Sequence, residues 1–338
     1  MKLVSILSVL ALLGPVTGAA QAPQLIAESQ PVVLDAGSAA YMFTFMPRLA
    51  GGTVILEHRA GPSEPAYSIY SRDGKLQARF RIDLPDASET IDSRIAPLRD
   101  GSGFVAGAIA VNGLDRAFKL CFLDRDGKLK KVVPISPYWP THLAVAADGT
   151  IWGFGSASRD DKPASDNPVV FHVSSSGELL GTALPRKLFG SEPPHELRPE
   201  SGPAFLASGG SRVAVYSPQT RQLFELGLDR KVIGSYVIPL PEQQRAGQSL
   251  ARPMGLAGLA ITDQGTIYAK LNGGDDAGLY ELDRPNQRWT PLPEELMNQV
   301  RAYSLIGCQG EDLALTPAGR RGQQFPVKWI RLTPRFTP

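Results

Sequence analysis

Four histidines, two acidic pairs and a set of arginine and aromatic residues ahead of strand-like runs are where this sequence could do chemistry. His58, His142, His172 and His195 are too scattered for a zinc site, whose ligands come in closely spaced pairs. Asp160-Asp161 and Asp275-Asp276 stand in loops rich in Gly, Ser and Asn. Neither has the alternating acidic positions and distal Glu of a calcium loop, so both read as solvated turns. No Gly-x-Ser-x-Gly sits between a strand and a helix, and no Gly-rich phosphate loop occurs. What remains is Arg94, Tyr138, Trp139, His142, Glu200, Arg252 and Tyr303, each beside the start of an apolar run. Arginine forks and aromatic faces suit ligands that carry a carboxylate or a ring. The chain's 24 Arg against 11 Lys give that reading material to work with.

The elements that must position these residues repeat. An apolar strand, a tight Gly turn and a second apolar strand recur at 42–58, 93–109, 141–155, 204–217, 255–271 and 303–316. Each of the first five is followed by strand, polar turn, strand, at 67–85, 119–134, 169–185, 221–241 and 279–293. The second turns contain Asp73-Gly74, Asp126-Gly127, Ser176-Gly177, Asp229-Arg230 and Arg284-Pro285, roughly every 50 to 55 residues. Asp-Gly and Ser-Gly admit the positive φ that tight hairpins need, and alternating apolar residues make half-buried strands. Each unit is therefore a four-stranded antiparallel meander. Only 294–301, after Pro293, has the spacing of a short helix.

One such sheet cannot bury both faces, so the six must pack around an axis as a six-bladed β-propeller. The sixth unit has only three strands, ending in 326–334, while 24–37 forms a strand-like segment that belongs to no unit. The N-terminal strand is expected to complete the last blade, covering an edge that would otherwise invite aggregation. The 34 Gly and 29 Pro are the punctuation of this repeat, Gly in the hairpin turns and Pro around the strands.

THLAVAADGTIWGFG after Pro140 and GLAGLAITDQGTIYAKL after Pro253-Met254 resemble the inner hairpins of NHL-type and gluconolactonase-like propellers, in the TolB-like superfamily. As architecture the resemblance spans the mature chain; its motifs are specific in two blades. It implies a calcium-type cation held near the axis by carboxylate and amide oxygens. Only Glu200 and Asn112 approach that layout. Glu200-Ser201-Gly202-Pro203 is similar to the family's Glu-Gly-Pro opening with a Ser inserted, and the family's Asn-Gly-apolar-aspartate strand motifs are absent.

Residues 1–22 combine Lys2, an apolar run from Leu3 to Leu13, the pair Gly14-Pro15 and then small residues. This is the layout of a secretory signal peptide with cleavage before Pro23, the 18–20 region competing. Eleven apolar residues are too few to cross a bilayer, and no later run is long enough. The mature chain from 23 to 338 is expected to be one propeller domain, secreted or periplasmic, working as a monomer. Cys121 and Cys308 fall in different repeats and are expected to be unbonded, buried and apolar in behaviour. With 35 basic and 33 acidic residues, the chain lacks the basic stripe that nucleic acid needs.

The expected activity is binding of a protein or small-molecule ligand at the rim formed by Arg94, Trp139, His142, Glu200, Arg252 and Tyr303. No catalytic residue, metal ligand or cofactor is assigned, and the chain reads more as a binding protein than as an enzyme. A metal-dependent hydrolase or lactonase of the gluconolactonase-like type, using Ca²⁺, is the alternative. A purely structural role in an envelope assembly is a third.

Overall fold

A computed structural model describes residues 23–35, 43–44, 48–50, 52–59, 66–155, 166–189, 205–218, 220–239, 255–272, 277–318 and 324–336. Six small antiparallel sheets form a ring, each built in chain order from the axis outward. Blade one runs through Phe43–Thr44 with Arg48–Ala50, then Thr53–Arg59, Tyr67–Tyr70 and Leu76–Phe80. Blade two has Glu89–Pro97, Gly103–Asn112, Asp115–Asp124 and Leu129–Pro134; blade three has His142–Val145, Ile151–Phe154, Pro168–Val173 and Leu179–Pro185. Blade four has Phe205–Gly209, Arg212–Ser217, Gln222–Gly227 and Val232–Val237; blade five has Gly255–Ile261, Ile267–Asn272, Gly278–Asp283 and Arg288–Pro291. The inner strands pack on one another from blade two through blade six, and blade six packs on blade one. The apolar clusters lie between blades: Ile55, Ile69 and Phe80 meet Ile95 and Phe104, for example, and Leu259 and Leu271 meet Leu305 and Leu313.

Blade six closes the ring as the sequence implies. Its inner strands Tyr303–Gln309 and Asp312–Pro317 pair in turn with Gln324–Leu332, and the outer edge of that third strand takes the N-terminal segment. Pro31 has no N–H to donate, so the segment is split into Leu25–Glu28 and Val32–Asp35, both antiparallel to the third strand. Ser29 bridges the break. Its backbone N–H donates to the Trp329 carbonyl at 2.9 Å, and its hydroxyl accepts from the Trp329 N–H at 3.0 Å. The seam with blade one is charged. The Asp312 carboxylate accepts from Arg72 of blade one at 2.6 Å and from Arg331 at 2.5 Å, and the Arg72 guanidinium lies 4.3 Å from the Trp329 ring centroid.

The turns between third and outer strands show why glycine recurs. Gly74, Gly127 and Gly177 take φ of +80°, +81° and +90°, each beside a bulge in the third strand. In blade four the same station holds Arg230 at φ +71°, where a side chain costs about 1 kcal/mol or more. Its guanidinium reaches back into blade three, 3.3 Å from Nδ1 of His172, whose ring stacks on Trp152 with centroids 4.2 Å apart. Burial, helped by the Arg230 charge, lowers the His172 pKa and keeps the ring neutral, so Nδ1 can accept. His172 therefore bonds between blades, and the strained backbone at Arg230 is offset by that link.

The helix Glu294–Val300 carries the chain from blade five to blade six. Glu294 and Glu295 in its first turn complement the helix dipole. At the other end the fully buried Lys270 donates to the Arg301 carbonyl at 3.2 Å. Burial, with the Arg301 charge adding to it, brings the Lys270 ammonium down to about 8. Between that value and the ordinary 10.5 the unfolded chain binds more protons than the folded one, so stability should rise with pH across this window. At 1.36 kcal/mol per unit, the rise from this group is about 3 kcal/mol. In Lys270→Met, measured by urea unfolding from pH 7 to 11 beside the parent, that increment should vanish. Parallel curves for the two proteins would show that burial leaves the Lys270 ammonium at its ordinary value, protonated in the fold as in the unfolded chain.

Candidate ligand-binding channel

The antiparallel meander sends every inner strand in one direction, so the channel they line has two unlike ends. At the entry end the chain arrives at each inner strand, and the loops joining second and third strands share that rim. At the turn end lie the six short turns between first and second strands.

Four of the six sequence candidates fall at the entry side and are half-buried. Arg94 sits at a bulge between Asp92 and Ile95 in the inner strand of blade two. The bulge turns its guanidinium to the carboxylate of Glu57, in the second strand of blade one, with which it forms an ion pair. Trp139 belongs to the crossover into blade three and stacks on Phe118, centroids 6.2 Å apart and planes 12° from parallel. Its carbonyl presses on Gly155, where a Cβ would stand 1.5 Å from that oxygen, so the crossover fits only glycine there. His142 opens the inner strand of blade three, with Nδ1 3.2 Å from the Thr141 hydroxyl and its ring edge-on to Phe154. Thr141 is fixed in turn by two bonds to the Phe154 carbonyl, from its N–H and its hydroxyl, both 2.9 Å. Tyr303 opens the inner strand of blade six, and the Lys328 ammonium lies 5.0 Å from its ring centroid. Lys328 is held by Glu28 of the N-terminal strand, so the closing strand also sets what faces Tyr303.

Glu200 and Arg252 lie outside the described residues. Asn112, the other residue with the chemistry of an axial metal ligand, is engaged elsewhere. Its amide accepts from the Ser88 N–H at 2.8 Å and donates to the Asp86 carbonyl at 2.9 Å, pinning the crossover into blade two. No group of three His, Cys, Asp or Glu able to hold a metal occurs among the described residues. Trp139 contributes packing beyond a rim contact, because it supports the apolar cluster between blades two and three.

The turn end is tighter, and its residues were not singled out from the sequence. Arg99, in the turn of blade two, donates from Nε to the Ala146 carbonyl of blade three at 3.4 Å, and its Nη2 lies 3.7 Å from the Asp263 carboxylate of blade five. Gly210 of blade four has no room for a Cβ against the Asp263 carbonyl, which would be 2.7 Å away. The Asp263 and Gln264 N–H groups donate to Gly310 and Glu311 of blade six at 3.2 and 2.9 Å. Gln309 of blade six fills the space above Gly52 of blade one. Cys308, expected from the sequence to be buried, is half-buried, and its thiol donates to the Ile261 carbonyl at 2.9 Å. Burial, then the nearby Asp263 and Glu311 carboxylates, push the thiol up to about 12. Both cysteines are free.

No protein-family model matches the sequence, and no curated protein matches it. Among solved structures, a Bacteroides fragilis protein matches at 10% identity over 90% of this chain and 95% of its own, with a TM-score of 0.53. Regucalcin, a calcium-binding protein of Agrobacterium tumefaciens, matches at 14% identity over 91% and 96% with a TM-score of 0.47. A gluconolactonase of Xanthomonas campestris matches at 13% over 93% and 98% with a TM-score of 0.44. At such identities a likeness speaks of fold alone. The six sheets, their order and their register make this chain a six-bladed β-propeller closed by its N-terminal strand.

Proposed function

We propose that the protein is an exported binding protein that takes a small molecule or protein segment bearing a carboxylate or an aromatic group at the entry end of its channel. The observation that supports this reading is the difference between the two ends. The inner turns of all six blades meet at one end, whereas half-buried Arg94, His142 and Tyr303 stand toward the other with donors and ring faces. In this reading Glu200 and Arg252, in the crossovers into blades four and five, complete the rim. Residues 1–22 supply the export signal. Rim residues on a rigid scaffold are where propeller ligands are expected to sit.

Thermal unfolding of the mature protein against aliphatic and aromatic carboxylic acids, Ca²⁺, Zn²⁺ and EDTA tests the proposal. An acid at 100 times its dissociation constant should stabilise the fold by about 2.7 kcal/mol. His142→Ala should abolish most of that gain while its ligand-free transition stays within 2 °C or so of the parent. Trp139→Ala is the wrong probe, since it removes core support. Stoichiometric bound metal with a large EDTA-sensitive drop in the transition would replace the binding reading with metal-dependent hydrolysis.

A further inference from the structure

We propose that Arg99 and Asp263 form a bolt across the axis that shuts the turn end, making the channel a blind pocket loaded from the entry end alone. The inference stands whether or not the entry end holds a ligand of the kind proposed above.

Ring order carries the argument. Blades two and five are separated by three steps of six in either direction, so a side chain of one that meets a side chain of the other must pass over the axis. Arg99 does this: anchored on the Ala146 carbonyl of blade three, it ends at the Asp263 carboxylate. The base of the bolt is stiff. The Gly101 N–H donates to the Leu98 carbonyl at 3.0 Å, the Leu98 N–H to Gly103 at 2.9 Å, and the Ser102 N–H to the Asp100 carboxylate at 2.9 Å. Asp263 is seated as firmly, between Gly210 of blade four and Gly310 of blade six. Around the pair, Gly210 of blade four and Gly310 of blade six close on the Asp263 backbone, and the Gln309 side chain covers Gly52 of blade one, which narrows the opening that the guanidinium spans. Both side chains keep part of their surface in water, 35% for Arg99 and 58% for Asp263, so the pair is weak and salt-sensitive. It can therefore be removed without unfolding the ring.

Cys308 provides the readout, because it lies beside the bolt at the end of the blade six inner strand, whereas Cys121 is fully buried. In the full mature protein, modification of Cys308 by N-ethylmaleimide is followed by mass spectrometry of the two cysteine peptides. The two possible effects of removing Arg99 oppose each other. The Arg99 charge favours the thiolate, so its loss alone should slow the reaction; opening of the turn end should speed it. We expect Arg99→Ala to raise the Cys308 rate at least tenfold, Arg99→Lys to restore the slow rate, and Cys121 to stay unmodified in all three proteins. A rate equal to or below the parent's in Arg99→Ala overturns the proposal. So does acceleration of both cysteines together, which reports general loosening of the ring.

Discussion

Replacing Gly258 by alanine should lower the unfolding free energy by about 3 kcal/mol, the upper part of the range for an overfilled core. Gly258 lies in the inner strand of blade five, just past a bulge at Leu256, and faces the inner strand of blade six. A Cβ there would stand 2.1 Å from the Leu305 carbonyl oxygen and 2.8 Å from the Leu305 Cβ. The obstructing atoms are mostly backbone, and Leu305 is held by pairing with Leu315 in its own blade, so no rotamer change relieves the clash. The two inner strands must part by about 1 Å or more, and the contacts among Leu256, Leu259, Leu305 and Leu313 loosen with them. Gly255 on the same strand is the internal control. A Cβ there meets nothing within 4 Å and needs no unusual φ, so Gly255→Ala should be neutral or stabilise slightly through the unfolded state. Urea midpoints for both variants decide the matter. Equal midpoints would mean that the inner strands are spaced loosely enough to admit a methyl, and that the channel wall is not close-packed between blades five and six.

The parts of this fold that could be read from the sequence are those set by local backbone needs. Gly74, Gly127 and Gly177 mark their turns because the positive φ has to be met within a few residues. The half-buried alternation expected on either side is not what the ring builds: third strands such as Tyr67–Tyr70 are buried on both faces between blades, and outer strands such as Leu179–Pro185 are exposed or half-buried along most of their length. The orphan segment at 24–37 was legible by a count of strands. That Pro31 would break it in two, with Ser29 serving both polar groups of Trp329, was not. Arg230 shows the limit from the other side: its station calls for glycine, and a residue found only by folding, His172 in another blade, explains the arginine. The links that join blades obey no spacing at all. Arg72 finds Asp312 across 240 residues, and Arg94 finds Glu57 only because a bulge turns it. For the same reason the rim candidates were chosen by their place at strand starts, while the closed turn end, built from Arg99, Asp263 and four other blades' turns, carried no motif. Position along a repeat says which end of the channel a residue occupies; only the ring says what lies opposite.

Glu225→Gln should be the most damaging single change to a polar side chain, costing about 3 to 5 kcal/mol, the range for stranding one partner of a buried ion pair. Glu225 is completely buried in the third strand of blade four. One oxygen accepts from Arg212 and from Arg284, each at 2.7 Å; the other accepts from Arg284 Nε at 3.0 Å and from the Tyr236 hydroxyl at 3.2 Å. Arg284 comes from the turn between the third and outer strands of blade five, so the carboxylate clamps two blades together. A glutamine keeps the shape but turns an N–H₂ toward guanidinium donors and leaves two cations with no counter-charge. The comparable Asp312 clamp should matter less, because its arginines are 44% and 48% exposed against 28% and 15% here, and water can take over. Burial by itself would raise the Glu225 pKa, but the two arginines more than offset it and the carboxyl titrates below its ordinary 4.5. A depressed folded value means stability that is present above 4.5 and lost as pH falls through the lower value. The parent should therefore lose stability more steeply than Glu225→Gln between pH 5 and 3, and the two curves should converge at the acid end. If stranded charge is the cause, replacing Glu225, Arg212 and Arg284 together by leucine or methionine should recover most of the loss, since a buried ionic cluster is often matched by apolar residues of similar volume. A cost below about 1 kcal/mol for Glu225→Gln at pH 7, the level of an exposed pair, would mean that both arginines rehydrate and that apolar packing alone joins blades four and five.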